Sequence, residues 1–382
     1  MNPSVVVLGA TGSIGTQAIE VATGLGLEIA AIAAKTPSPR LASIAADHPG
    51  ARVLVAGGSI DEREDFSRLV GRAVEFGSEA VVDSARTPGV TVINGIVGSA
   101  GLRATVAGLE SGNRVALANK ESLVAGGPVV TKTLAEHGGE LIPVDSEHSA
   151  LFQCLTGEDR SAVARLILTA SGGPFRGRSR ESLAGVTPEE ALSHPTWEMG
   201  ERITVDSATL FNKGLEVLEA HFLFEVGYDR ISVVVHPQSI VHSAVEFVDG
   251  SLKAHLGFPD MRIPIQFALT YPRRAPSPAP PFDLSGLTLE FEEPDRSVFP
   301  SLDLAYEAGR LGGSSPAVLN AADEIAVAAF LQGRLGFLGI PDVVDRTLAA
   351  VTWQELSTVD DVIEVDAEAR AIAAGFVARA CC

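Results

Sequence analysis

The chain is poor in cysteine, in aromatic residues and in positive charge. Its three cysteines are Cys154 and the terminal pair Cys381 and Cys382. So sparse and odd a set makes neither a disulfide framework nor a zinc site. Aromatic residues are 5% of 382, against 46% hydrophobic overall, so the apolar content is largely Ala, Val and Leu. Lysine and arginine number 29 against 48 acids, a net charge of −19. That balance argues against nucleic acid or an anionic membrane as the main partner, while a local cationic pocket can still take an anionic substrate. No apolar run approaches the roughly 18 residues that span a bilayer. No basic segment or cleavage pattern precedes Val5-Val6-Val7-Leu8-Gly9. A cytosolic protein of two or three domains is expected.

What is present starts with a continuous apolar run, Ser4 to Leu8, of the kind that makes a buried parallel strand. Gly9-Ala10-Thr11-Gly12-Ser13-Ile14-Gly15 follows and leads into a helical pattern from Thr16 to Gly24. A glycine-rich turn between strand and helix lets a dinucleotide pyrophosphate approach the helix N-terminus closely. The second expected strand, Glu28 to Ala33, ends at Ala34-Lys35-Thr36. No acid that could hold a ribose 2′-hydroxyl lies between Ile29 and Leu41. Lys35, with Arg40 nearby, suits the 2′-phosphate of NADP instead; a solvated lysine at a strand end is the alternative.

The α/β alternation continues. Strands are expected at 51–55, 80–82, 91–94, 114–117 and 140–144, and helices at 62–74, 102–111 and 129–137. Asn119, Lys120 and Glu121 then fall at the carboxyl end of a strand, where open α/β sheets bind ligands, although Lys120 could also be a surface lysine. Pro143-Val144-Asp145-Ser146-Glu147-His148 comes next, before a helical pattern starting near Ser149. If strand geometry persists, Asp145 and Glu147 share a face. Two carboxylates so placed repel unless a proton or cation sits between them. Hard oxygen donors suit Mg²⁺ or Mn²⁺. Taken alone, the stretch also reads as a polar loop after a buried strand.

A second region opens with a strand at 165–170 that ends at Ser171-Gly172-Gly173, which could hold an anion or make a plain turn. His194-Pro195-Thr196-Trp197-Glu198-Met199-Gly200 gathers His, Trp and Met in one loop, as a lid or a packed corner would. Residues 203–209 are strand-like, and 210–220 have helical periodicity. On that helix Asn212 and Lys213 lie four and three residues before Glu216, on one face. They make a site cluster or a solvated surface pair. A strand at 231–235 and a hairpin at 240–256, turning at Asp249-Gly250 with a type I′ signal, follow; His242 and His255 within it read as structural. A Pro-rich stretch at 271–282 reads as a linker. Helices are expected at 301–311, 315–332, 341–351 and 366–380. Asn320, Asp323 and Glu324 are polar on an otherwise apolar helix and suggest only a structural contact.

Together, Asp145, Glu147 and Glu216 offer three carboxylates. Ser171, Ser207, Asn212 and Lys213 offer donors for a phosphate, Lys120 and Ser146 could fix a hydroxyl or carbonyl, and His194 and Trp197 could close over the site. With an NADP site upstream, this points to metal-assisted reduction of a phosphorylated keto or aldehyde compound.

The ordered set of motifs at 9–15, 118–122, 143–148, 171–175, 194–200, 205–209, 212–216 and 236–239, continued by Asn320-Ala321-Ala322-Asp323-Glu324, resembles the 1-deoxy-D-xylulose 5-phosphate reductoisomerase family. The resemblance implies an α/β protein with a Rossmann-type NADP-binding domain (1–149), an α+β catalytic domain (150–272), a linker (273–297) and a helical C-terminal domain (298–382). It implies a homodimer without nucleic-acid or membrane partners. The implied reaction converts 1-deoxy-D-xylulose 5-phosphate to 2-C-methyl-D-erythritol 4-phosphate, on the way to isoprenoid precursors. A retro-aldol and aldol sequence is followed by reduction with NADPH, with Mg²⁺ or Mn²⁺ as the metal. Asp145, Glu147 and Glu216 would hold the metal and, with Lys120, carry catalysis. Lys120, Ser146, Glu147, Ser171, His194, Trp197, Ser207, Asn212, Lys213 and Glu216 would meet the substrate. Gly9, Thr11, Gly12, Ser13, Ile14, Gly15, Ala34, Lys35, Thr36, Asn119, Glu121 and Gly200 would line the cofactor site. Ala34-Lys35-Thr36 keeps the lysine of the family's frequent Gly-Lys-Asn.

The rival enzyme class is an NADP-dependent dehydrogenase of another phosphorylated carbonyl compound. Its short-chain form needs Tyr-x-x-x-Lys, whereas Tyr228, Tyr271 and Tyr306 are followed by Ser232, Ala275 and Arg310. Its semialdehyde form needs a cysteine nucleophile, and Cys154 falls within a helical pattern. A redox-sensing dinucleotide-binding regulator would not need three acids beside an anion pocket.

Overall fold

The computed structural model describes residues 4–197 and 199–380. Cys381, Cys382 and Glu198 lie outside the described residues. The chain divides into two compact units. The first contains residues 1–122, 130–149 and 260–281; the second contains 123–129, 150–259 and 282–382.

The first unit is built on seven parallel strands: β1 (Ser4–Leu8), β2 (Glu28–Ala34), β3 (Arg52–Val55), β4 (Val74–Phe76), β5 (Val90–Asn94), β6 (Arg114–Leu117) and β7 (Glu140–Pro143). Their order is β4-β3-β2-β1-β5-β6-β7. Val5 to Leu8 are fully buried, as a central strand covered on both faces requires. Strand order reverses between β1 and β5, the switch point where open sheets leave a crevice beyond their carboxyl ends. A helix at Arg262–Thr270 also belongs to this unit and ties to the first helix through Arg262 and Glu20, 2.9 Å apart.

The second unit holds a four-stranded mixed sheet. Its strands are β8 (Val163–Ala170), β9 (Ile231–Val235), β10 (Val241–Phe247) and β11 (Leu252–Leu256), in the order β11-β10-β8-β9. One face packs on the helix Phe211–Phe224 through Val217, Ala220 and Phe224. Phe211, Leu215 and Leu218 of that same helix enter a second cluster with Leu319, Phe330 and Val344 of the C-terminal helices. A helix apolar on nearly every side is a buried helix, and this one carries Asn212, Lys213 and Glu216.

The secondary structure departs from expectation at several places. Residues 80–82 are not a strand but lie in the helix Ser78–Ala85, while β4 is Val74–Phe76, starting at the last residue of the helix expected over 62–74. The preceding helix runs Ile60–Val70, is started by a capping box between Ser59 and Glu62, and stops at Gly71 in the left-handed region. Residues 203–209 form helix, Glu201–Thr209. Thr204, Val205, Ala208 and Thr209 are its buried face, a helical period that overrides the β-branched residues' strand preference. The helix expected from residue 129 begins at Glu121. At the hairpin only Gly250 has positive φ, so the turn is not type I′, which needs two such residues.

Candidate active site

On the first unit, the fingerprint turn leaves β1 as expected. Gly9 has φ +80, and a Cβ on it would lie 2.5 Å from the Gly95 carbonyl oxygen. A Cβ on Gly15 would lie 2.2 Å from the Gly9 carbonyl oxygen. Only glycine fits at either position. Gly12 is the N-cap of the helix Ser13–Gly24, so Thr11, Gly12, Ser13 and Ile14 surround a helix N-terminus. Ala34 is buried at the end of β2, and Lys35 and Thr36 are exposed just beyond it. Asn119 and Glu121 are buried after β6, 2.8 Å apart through Asn119 Nδ2 and Glu121 Oε2. Gly200, the remaining cofactor candidate, caps the helix Glu201–Thr209 in the second unit.

Lys120 and Asp145 follow the neighbouring strands β6 and β7, and their side chains meet with Nζ 2.5 Å from Oδ2. Lys120 is 8% exposed and Asp145 13%. Burial opposes the charge on Asp145, but Lys120, then His148 and Glu147, outweigh it and hold the carboxyl well below the usual carboxylate range. His148 Nδ1 lies 3.9 Å from Asp145 Oδ1, and His148 is fully buried. Sequence spacing gave His148 no role, because only the helix brings it back to Asp145.

The alternation expected for Asp145 and Glu147 does not hold. The chain leaves strand geometry at Asp145, whose carbonyl accepts the first helical bond from Ser149 N at 2.8 Å. Ser146 opens the helix Ser146–Leu155 and donates to Glu147 Oε2 at 2.6 Å. Lys120, Asp145, Ser146 and Glu147 therefore come together on one helix start beside one strand end.

On the second unit, Ser171 follows β8 and its Oγ lies 3.0 Å from His194 Nε2. His194 Nδ1 accepts from the backbone N–H groups of Thr196 (3.1 Å) and Trp197 (3.0 Å). Nδ1 is therefore unprotonated and Nε2 carries the hydrogen, which it donates to Ser171. Burial pushes the His194 pKa down, in keeping with a neutral ring. Ser171 Oγ also accepts from Gly173 N at 3.2 Å. Its own hydrogen is left to donate outward. Trp197 is half-buried, with its ring 6.4 Å from that of His242.

Gly173, at φ +67, is where this loop meets the helix of Ser207: a Cβ there would lie 2.8 Å from the Ser207 carbonyl oxygen. Asn212 and Lys213 sit in the first turn of the helix Phe211–Phe224. Asn212 Nδ2 donates to Glu216 Oε1 at 2.6 Å, and Lys213 Nζ bonds Glu216 Oε2. Lys213 is 4% exposed and Glu216 1%, so this is no solvated surface pair. One turn on, Glu219 is wholly buried, a second acid that the spacing i, i+3 from Glu216 could have flagged.

The donor chemistry fits a divalent cation. Asp145 and Glu147 on the first unit and Glu216 on the second each offer hard oxygen donors of the kind such a cation takes. The carboxylates of Asp145 and Glu216 are each already neutralised by a lysine. Asn320, Asp323 and Glu324 prove to be ligands of arginine. Arg202 reaches Asn320 (3.0 Å), Asp323 (3.3 Å) and Glu324 (3.1 Å), and Arg370 reaches Glu324 at 2.6 Å.

Comparison with known proteins agrees with this chemistry. Family profiles described as 1-deoxy-D-xylulose 5-phosphate reductoisomerase match residues 5–127, and its C-terminal domains match 141–224 and 256–372. The protein of that name from Desulforamulus reducens is 48% identical over 380 residues, covering 97% of both chains. Its counterpart from Chloroherpeton thalassium is 49% identical over 372 residues, covering 96% of both. Among solved structures, the Zymomonas mobilis reductoisomerase in complex with NADPH aligns with a TM-score of 0.91 at 43% identity, over 99% of each chain. A DOX-P reductoisomerase in complex with NADPH, fosmidomycin and magnesium aligns with a TM-score of 0.93 at 37% identity, over 98% of each. The chain belongs to the 1-deoxy-D-xylulose 5-phosphate reductoisomerase family.

Proposed function

We propose that the chain carries out the family's reaction, the NADPH- and divalent-metal-dependent conversion of 1-deoxy-D-xylulose 5-phosphate to 2-C-methyl-D-erythritol 4-phosphate. The observation that carries this reading is the pair of lysine-neutralised carboxylates, partly buried Asp145 and buried Glu216, on a chain whose first sheet has a dinucleotide turn at its switch point. Asp145, Glu147 and Glu216 hold Mg²⁺ or Mn²⁺, which supplies Lewis acidity toward the substrate carbonyl. The fingerprint turn and Lys35 would hold NADPH, the lysine by pairing with the 2′-phosphate, and the cofactor would supply the hydride.

The chain's own residues bind and orient. Ser171, Ser207, Asn212 and Lys213 take the phosphate, whose fixed position provides remote binding energy for the reacting carbons. Ser171 is suited to this because His194 and Gly173 occupy its acceptor sites and leave its hydrogen for the anion. Lys120 and Ser146 hold the hydroxyl and carbonyl end. Trp197 and the rest of its loop form a lid that excludes water. Asn119, Glu121 and Gly200 complete the cofactor site.

A homodimer in the cytosol is part of this reading. Support for the dimer comes from the second unit, where β11 is a sheet edge and Leu252, Leu284 and Phe291 are exposed. The free, buried thiol of Cys154 suits a reducing compartment.

Purified protein is expected to sediment as two chains and to oxidise NADPH only when both the deoxyxylulose phosphate and Mg²⁺ or Mn²⁺ are present. Turnover without metal, or none with that substrate, would sink the proposal.

A further inference from the structure

Behind the cofactor loops of the first unit lies a buried polar chain of hydrogen bonds. Asn94, the last residue of β5, donates from Nδ2 to Gly101 O (2.9 Å) and Thr105 Oγ1 (2.8 Å), and its Oδ1 accepts from Ile96 N (3.2 Å). Thr105 Oγ1 lies 3.1 Å from Ser122 Oγ. Ser122 donates to Asn119 Oδ1. Asn119 Nδ2 donates to Gly98 O (2.9 Å) and Glu121 Oε2 (2.8 Å), and Glu121 Oε1 accepts from Gly98 N (3.2 Å). Asn94, Thr105 and Ser122 are fully buried, and Asn119 is 1% exposed.

The proton directions in this circuit are fixed. A hydroxyl has one hydrogen, and that of Ser122 is committed to Asn119. Thr105 must therefore donate to Ser122, having accepted from Asn94. The bonds run one way from Asn94 through Thr105 and Ser122 to Asn119 and Gly98, an arrangement in which each bond polarises the next. Such a network adds little to stability over an apolar core and costs much if half-satisfied.

Its ends show what it holds. Residues 95–98 leave β5 and Asn119 to Glu121 follow β6, the strands on the far side of the switch point from the fingerprint half. In a doubly wound sheet each half takes one mononucleotide. The Gly95 carbonyl also packs against Gly9 of the fingerprint turn. We propose that Asn94 and Thr105 are positioning residues. Too deep to touch a ligand, they aim the 95–98 loop and the Asn119–Glu121 pair at the nicotinamide half of bound NADPH. This rests on the cofactor reading above.

Thr105→Val keeps the shape and removes the relay. Fluorescence titration of the full chain is expected to show NADPH binding weakened about tenfold, the scale of one lost internal hydrogen bond. Thr105→Ser should bind within about twofold of wild type by the same measure. Affinity for 2′-phospho-ADP-ribose, which lacks the nicotinamide, should not change in either variant. Should Thr105→Val not fold, Ser122→Ala breaks the next link and is read the same way. Unchanged NADPH affinity, or equal loss for both ligands, overturns the inference. Wild-type protein that binds neither ligand overturns the cofactor reading beneath it.

Discussion

The chain carries two pairs of a buried lysine with a carboxylate that look alike and arise differently. Lys213 and Glu216 are three residues apart on one helix. Lys120 and Asp145 come from the ends of adjacent strands, whose register sets Leu117 beside Pro143. The first pair is written in sequence spacing, but spacing says nothing about its importance, since such pairs on an exposed helix are worth only a few tenths of a kcal/mol. The second is invisible until the sheet forms. Both lysines are buried, and burial follows from packing: Phe211–Phe224 is covered on both sides by apolar clusters, and Lys120 follows the buried end of β6. A buried ion pair is a poor source of stability compared with apolar residues. Two in one chain argue for use.

The largest effect should come from separating charge balance from chemistry. Lys213→Met alone removes the cation beside the buried Glu216 and should lower stability by about 3–5 kcal/mol. Lys213→Met with Glu216→Gln removes both charges, and urea unfolding should recover most of that loss. NADPH oxidation should remain at least roughly a thousandfold down in the double variant, a few kcal/mol of transition-state stabilisation. NADPH affinity should stay close to wild type throughout. Lys120→Met with Asp145→Asn should behave in the same way. A double variant that regains turnover would reduce its pair to a structural salt bridge and break the likeness between the two.

His194 offers a smaller effect of known sign. Its ring pKa is lowered by burial, and its neutral form accepts the Thr196 and Trp197 N–H groups. Protonation at Nδ1 would expel both bonds and release the loop. Substrate affinity should therefore hold steady as pH falls through about 6.5, the ordinary histidine value, and weaken only below it, by about tenfold. A KM for substrate that rises with a midpoint above the ordinary value would show that the ring is not held neutral by its surroundings.

Much of the site was legible, for reasons that differ by region. The fingerprint turn could be read because its glycines answer a backbone demand that is local in sequence. Asp145 and Glu147 could be named as candidate metal acids because they follow an expected strand, and Glu216 because helical spacing sets it beside Lys213. Their geometry could not: the helix beginning at Ser146 was hidden by treating Asp145 to Glu147 as strand, and it is the helix that brings Ser146 and His148 into play. The helix of Ser207 was misread as strand because Ile203, Thr204, Val205 and Thr209 favour strands on their own, and tertiary burial of one face decided otherwise. The circuit of Asn94, Thr105 and Ser122 gave no sequence signal, since its members are small polar residues scattered over 29 positions.

Asp323 supplies the finest contrast with Asp145. Each has a cation beside it, yet burial raises the Asp323 pKa to about 6 while Asp145 is held low. The difference lies in competition. Lys120 faces Asp145 with His148 in support, whereas Arg202 is shared among Asp323, Asp206 and Glu324. A folded-state pKa above the unfolded value means that the native chain holds its proton more tightly. Its contribution is complete below the ordinary value of 3.8 and is lost as pH rises through about 6. At about 1.4 kcal/mol per unit, the loss on going from acid to neutral pH is roughly 2–3 kcal/mol. Asp323→Asn cannot titrate and can still accept from Arg202. Its stability relative to wild type should climb by that amount between about pH 4 and pH 7 in urea unfolding. Parallel curves would mean that Arg202 satisfies Asp323 as fully as Lys120 satisfies Asp145, and the contrast between the two acids would disappear.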